Sequence, residues 1–340
     1  MHRIPWRAAV VFGFLAFVGL AFAQKVSESE LPLPVRTQVI ELQKGWNAVW
    51  LEVEPLDAEP DHLFAGTPVD ICARYFRPIT SAQFIADPAE APWNQEGWGV
   101  WYSPQRQDAV LKSLHRIQGG VSYLVHSTSA HQWSLPGKVR LHVYRWKHDA
   151  FNLVGFSVEA QSPPTFGQFF AGANGKVGSQ VFRLVDGRWQ RIKDLASTTM
   201  RSGEACWIFA SGDSAFQGPL RVDLGGISAI DYGSTLDTIA VTHVNASPVP
   251  QQVTAELVAA GSSGGSAAGL PLSKVEVETA TLTTAVSPVG GTVAEVASGF
   301  AHALRLQVGR EAMNAASQTA LLRLSNGAGF QVWVPVRAWK

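Results

Sequence analysis

Gly45-Trp46-Asn47-Ala48-Val49-Trp50-Leu51-Glu52-Val53-Glu54-Pro55 alternates strictly after its opening turn. Val49, Leu51 and Val53 fall on one face of an extended strand, and Trp50, Glu52 and Glu54 fall on the other. Gly45 suits a turn that needs positive φ, and the Asn47 amide can bond nearby backbone. The pattern returns as Phe151-Asn152-Leu153-Val154-Gly155-Phe156-Ser157-Val158-Glu159. Asn47, Val49 and Val53 correspond to Asn152, Val154 and Val158, each shifted by 105 positions.

Working outward, further matches keep their order, as a repeat requires. Phe64-Ala65-Gly66 reappears as Phe170-Ala171-Gly172, and Phe76-Arg77 as Phe182-Arg183. A late strand, Gly119 to His126, recurs as Gly203 to Phe209, which aligns Tyr123 with Trp207 and Ser122 with Cys206. That alignment places Val121, Tyr123 and Val125 on the same face as Ala205, Trp207 and Phe209. The first copy is longer and carries a Trp-rich insertion from Asp87 to Tyr102, expected to fold over outward-facing Trp50. From about Gly225 the repeat is lost. Short strand candidates follow, ending in a hairpin turned by Asn326-Gly327, with Pro335 placing the last strand at an edge. The expected fold is all-β: two tandem repeated β-sandwich-like modules, 37–139 and 140–224, followed by an immunoglobulin-like β-sandwich, 225–340.

The chain opens with a cationic head carrying Arg3 and Arg7, an apolar run from Ala8 to Phe22, and Ala21-Phe22-Ala23. These are the parts of a secretory signal peptide, 1–23, cleaved near Ala23-Gln24. The apolar run falls short of the ~20 residues that span a bilayer, and an uncleaved anchor is the alternative. Residues 24–36 read as a leader or linker. The expected destination is periplasmic, cell-surface or extracellular, with no transmembrane segment in the mature chain. Acidic and basic residues number 27 each, so no global field recruits nucleic acid.

The Gly-Trp-Asn opening, Phe-Ala-Gly turn, Trp-rich insertion and Gly-Val-Ser-Tyr-Leu-Val late strand resemble a recurrent, uncharacterised module of bacterial exported proteins. There, aromatic-Asn-Leu-Val type repeats stand beside β-sandwich modules. The resemblance covers about Thr37 to Leu224. It implies export and β-architecture and carries over no active site.

Candidate chemistry is sparse. Gly261-Ser262-Ser263-Gly264-Gly265 has the spacing of a nucleophile elbow but lies in a Gly/Ser/Ala-rich stretch without the strand and helix that motif needs. His115, His126 and His131 are close in sequence yet lack a spacing that guarantees a common metal, and no cofactor is implied. Asp57, Glu59 and Asp61, with Glu52 and Glu54, read as solvated turn carboxylates. Cys72 and Cys206 are either two buried thiols or a single bridge. Trp93, Asn94, Trp98, Trp101 and Tyr102 form the one candidate ligand-binding set. Flat aromatic faces there could support sugar rings, or they could close a small core over Trp50. The functional expectation is a non-enzymatic exported structural, adhesive or scaffold protein, with envelope or extracellular proteins as partners. A carbohydrate-binding protein that takes a glycan on the Trp-rich insertion is the alternative. A hydrolase whose residues converge only in the fold is the second.

Overall fold

Strands account for nearly all regular structure in a computed structural model that describes residues 33–76, 97–261, 269–278 and 283–340. Leu33–Lys340 clusters as one compact unit. Its first part runs β1 (Val35–Leu42), β2 (Gly45–Leu51), β3 (Val53–Pro55), α1 (Pro60–Leu63), β4 (Val69–Tyr75), β5 (Trp98–Tyr102), β6 (Val121–Ser127) and β7 (His131–Val139). Two antiparallel sheets result, β2-β6-β4-β5 and β1-β7-β3. Between them lies a core of Val49, Leu51, Val53, Tyr123, Val125, Trp133 and Leu135, the apolar face expected from the alternation.

The second part supplies β8 (Ala150–Gly155), α2 (Phe166–Phe170), β9 (Val177–Val185), β10 (Arg188–Arg191) and β11 (Ala205–Ala210). Its sheet runs β8-β11-β9-β10, the same order of first, last, second and third strand as β2-β6-β4-β5. The opening asparagines also act alike. Asn47 donates to the carbonyls of Gln43 and Gly45 and accepts from the Gln43 amide. Asn152 donates to the carbonyls of Lys147 and Ala150 and accepts from the Lys147 amide. Each amide closes the turn before its strand, whose positive-φ residue is Gly45 in one and Asp149 in the other.

The late strands sit in a different register from the sequence alignment. Val49 pairs with Tyr123, whereas Val154 pairs with Cys206. Cys206 is therefore the counterpart of Tyr123, and Trp207 that of Leu124. A one-residue slip exchanges faces: Tyr123 enters the first core, and Trp207 faces the other four-stranded sheet. The same counting makes Phe182 the counterpart of Ala73, since Phe182 pairs with Trp207 and Ala73 with Leu124. Phe76 instead lies exposed at the end of β4.

Outer faces of the two four-stranded sheets meet in a third apolar cluster. Trp50, Ile71, Val100, Tyr102 and Leu124 come from one side, and Phe151, Trp189 and Trp207 from the other. Here Trp50 is buried against Gly155, while residues 87–96 of the insertion expected to cover it lie outside the described residues. A Cβ at Gly155 would lie 2.3 Å from the Trp50 Cβ. Equivalent positions of the two strands thus meet, one giving the bulk and the other the space.

The remaining chain forms β12 (Leu220–Asp223), β13 (Ile230–Asp231), β14 (Thr238–Asn245), β15 (Gln251–Ala259), β16 (Leu272–Glu278), β17 (Thr283–Pro288), β18 (Thr292–Val296), β19 (Ala301–Val308), β20 (Ser317–Asn326) and β21 (Gln331–Trp339). They build two sheets, β12-β14-β19-β16-β17 and β13-β21-β20-β15-β18, with β13 and β21 parallel. Taking β12 and β13 as one split first strand, this sets A-B-E against G-F-C in the immunoglobulin-like manner. β12, grouped by sequence with 140–224, pairs with β14 of this sandwich. β21 is not an edge: it lies between β13 and β20, and Pro335 is tolerated because pairing with β13 begins one residue later, at Val336.

Cores cross the sequence divisions. Phe156, Phe169, Cys206 and Ile208 join Phe216, Phe330, Val334 and Leu322 in one cluster, while Leu321 enters the core of the first part.

Candidate functional site

Trp98, Trp101 and Tyr102 all lie on β5, where alternation separates them. Trp101 points inward and is 2% exposed. Its Nε1 donates to Asp61 Oδ1 at 2.7 Å, and its ring lies 4.8 Å from that of Phe64. Trp98 and Tyr102 take the opposite face with the inter-sheet cluster, Tyr102 buried and Trp98 half-buried beside Tyr75. Burial raises the Tyr102 hydroxyl pKa, with Asp108 adding to the shift. Trp98 and Trp101 therefore do not share a platform for a sugar. Trp93 and Asn94 lie outside the described residues, as do Ser262, Ser263, Gly264 and Gly265 of the elbow-like stretch.

Cys72 and Cys206 are free thiols buried in different cores, so the single-bridge alternative is not realised. Desolvation raises both pKa values. The histidines disperse. His115 is exposed, while His126 Nδ1 lies 2.5 Å from Asp70 Oδ1 with its ring on the edge of Trp46. Among the described residues, no group of three or more His, Cys, Asp and Glu could hold a metal.

The acidic set divides in a way the sequence reading missed. Asp57 and Glu59 stay exposed beside His62. Asp61 sits under Lys112 and Trp101, whose hydrogen bonds hold its carboxyl below the usual range. Glu52 and Glu54 instead line a cavity of about 500 Å³ where the three parts of the chain converge. Glu52 follows Trp50 on the strand's second face, just where the chain leaves β2 for β3. Its backbone amide donates to the Gln38 side chain, which in turn donates to the Trp50 carbonyl. That bridge satisfies backbone groups at the crossing between sheets.

Only 5% of the Glu52 side chain is exposed. Oε2 accepts from Arg36 Nη2 and, at 2.9 Å, from the Ser157 hydroxyl. Arg36 lies 4.8 Å over the Trp333 ring, and its buried Nε has no hydrogen-bond partner among the described residues. Glu54 Oε2 accepts from the Gly119 amide at 2.7 Å. Tyr144 stacks on Trp50 at 6.1 Å and donates to the Gly155 carbonyl. Its hydroxyl is held well above its usual pKa, chiefly by burial and secondarily by Glu52. Arg140 and Arg221 stand exposed at the rim. The sequence signal for part of this wall was the shared face of Trp50, Glu52 and Glu54. Nothing local announced the segments around 140, 220 and 330.

No known family and no curated protein matches the chain. Solved structures that match include the VesB protease of Vibrio cholerae, 10% identical over 86% of this chain and 99% of that one, with a TM-score of 0.23. A likeness at that score carries no argument about fold or activity.

Proposed function

We propose that this chain is exported and serves as a non-enzymatic structural or adhesive scaffold of the envelope or extracellular space. The observation behind this reading is the continuity of the cores. Phe330 on the loop before β21 packs on Phe169, Leu321 of β20 enters the first core, and Trp50 locks onto Gly155. Segments from three parts of the chain thus bury one another's apolar faces, which suits a load-bearing body rather than hinged lobes. The described histidine–carboxylate pairs, such as Asp70–His126, have no serine or cysteine hydrogen-bonded to the ring. Both thiols are sealed in cores.

Purified chain should unfold in one cooperative transition by fluorescence and by circular dichroism, and it should bind isolated envelope or extracellular matrix fractions. Catalytic turnover that copurifies with the chain and is lost on one substitution in the cavity would overturn the reading.

A further inference from the structure

We propose that the cavity around Glu52 is a binding site for an acidic sugar unit: a hydroxylated ring that carries a carboxylate. The inference rests on the scaffold reading in one respect, since the ligand is held and not converted.

The argument begins with Glu52. A carboxylate whose side chain is 5% exposed is costly to keep ionised unless it is paired. Arg36 supplies that partner, so the Glu52 charge is already offset. Both bonds fall on Oε2, and Oε1 accepts none among the described residues. An ionised carboxylate only accepts. What Oε1 lacks is therefore a neutral donor, such as a hydroxyl, and not a second cation.

The rim has the opposite need. Arg140 and Arg221 make no ion pair among the described residues, and both line the cavity. Glu54 and Asp223 also line the cavity, but among the described residues neither rim guanidinium is held by a carboxylate, and the fork geometry of each matches that of an anionic carboxylate. Val143, Val222 and Val332 line the same cavity and offer apolar surface to the C–H face of a sugar ring, the ring faces of Tyr144 and Trp333 being covered by Trp50, Trp146 and Arg36. A volume of about 500 Å³ exceeds that of a small inorganic ion. Hydroxyl donors inward, a carboxylate outward and C–H faces between them describe a uronic acid residue. The sugar thus belongs in this cavity and not on β5.

Full-length chain is titrated calorimetrically with an oligogalacturonate, a neutral malto-oligosaccharide and inorganic phosphate, and the recovered ligand is weighed by mass spectrometry. Oligogalacturonate is expected to bind and the other two not, with affinity falling as salt rises. Arg140→Ala and Arg221→Ala, both at exposed positions, should each weaken binding about tenfold. Glu52→Gln keeps the shape and should weaken it while near-UV circular dichroism stays native. No binding by folded wild-type chain overturns the proposal. So does equal binding of the neutral sugar or of phosphate, or unchanged affinity in both arginine variants. Shortened or modified oligogalacturonate would leave the site standing and overturn the scaffold reading instead.

Discussion

Replacing Gly155 with alanine tests the contact that joins the two four-stranded sheets. The φ of Gly155 is not among the positive ones, so a side chain is permitted by the local backbone. The obstacle is spatial. An added Cβ would lie 2.3 Å from the Trp50 Cβ and 2.4 Å from the Glu204 carbonyl oxygen. Both atoms are fixed to backbone, so no rotamer change relieves the clash. Neighbouring backbone is also tied down, since the Trp50 amide donates to the Gly203 carbonyl at 2.9 Å. The sheets must separate by a substantial fraction of an ångström along a cluster that includes Trp189 and Trp207. Overpacking a tight site typically costs 1–3 kcal/mol, and a clash against backbone on two sides belongs at the upper end, about 3 kcal/mol. The assay is urea unfolding followed by tryptophan fluorescence, comparing midpoints at a common m value. Trp50→Gly removes one of the two obstacles, so Gly155→Ala should cost about 1 kcal/mol less in that background. A Gly155→Ala chain within about 0.5 kcal/mol of wild type would refute the close packing described.

Three other expectations follow from the same physics. His243 is fully buried beside His302, with ring centroids 5.0 Å apart, and burial pushes its pKa down to about 4. The unfolded chain takes up that proton near pH 6.5 and the folded chain resists it until about pH 4. The part of the stability that His243 controls should therefore be constant above pH 6.5 and fall by about 3 kcal/mol down to pH 4, and His243→Val should remove that part of the slope, leaving the part due to His142, whose pKa burial also lowers to about 4. Cys72 and Cys206 should be inert to an aromatic disulfide reagent in the native chain and both react on unfolding; fewer than two equivalents in denaturant would contradict the unbonded thiols. Asn152 is buried and Asn47 half-buried, so Asn152→Ala should cost about 2–3 kcal/mol and Asn47→Ala about 1, read by denaturant unfolding.

Repeat and register show where sequence reading succeeds and fails. Phe64 directly follows α1, Phe170 ends α2, and both are buried, as their matching tripeptides suggest. The Trp207 assignment failed because Tyr123 and Trp207 are both large aromatics, and composition cannot distinguish neighbours in a strand buried on both faces. The β5 aromatics failed for a different reason. Alternation alone already separates Trp101 from Trp98 and Tyr102, yet proximity in sequence suggested one platform.

Strand periodicity and turn chemistry are local properties, so the sequence by itself determined the all-β class. It also determined the inner face of Val49, Leu51 and Val53 and the turn-closing role of Asn47 and Asn152. Burial of Glu52, the meeting of Trp50 with Gly155 and the cavity walls depend on segments as far apart as Arg36, Tyr144, Arg221 and Trp333. No local pattern encodes which sheet covers a given face. Only the tertiary structure decided those, because each sheet has two faces and packing chooses what each one meets.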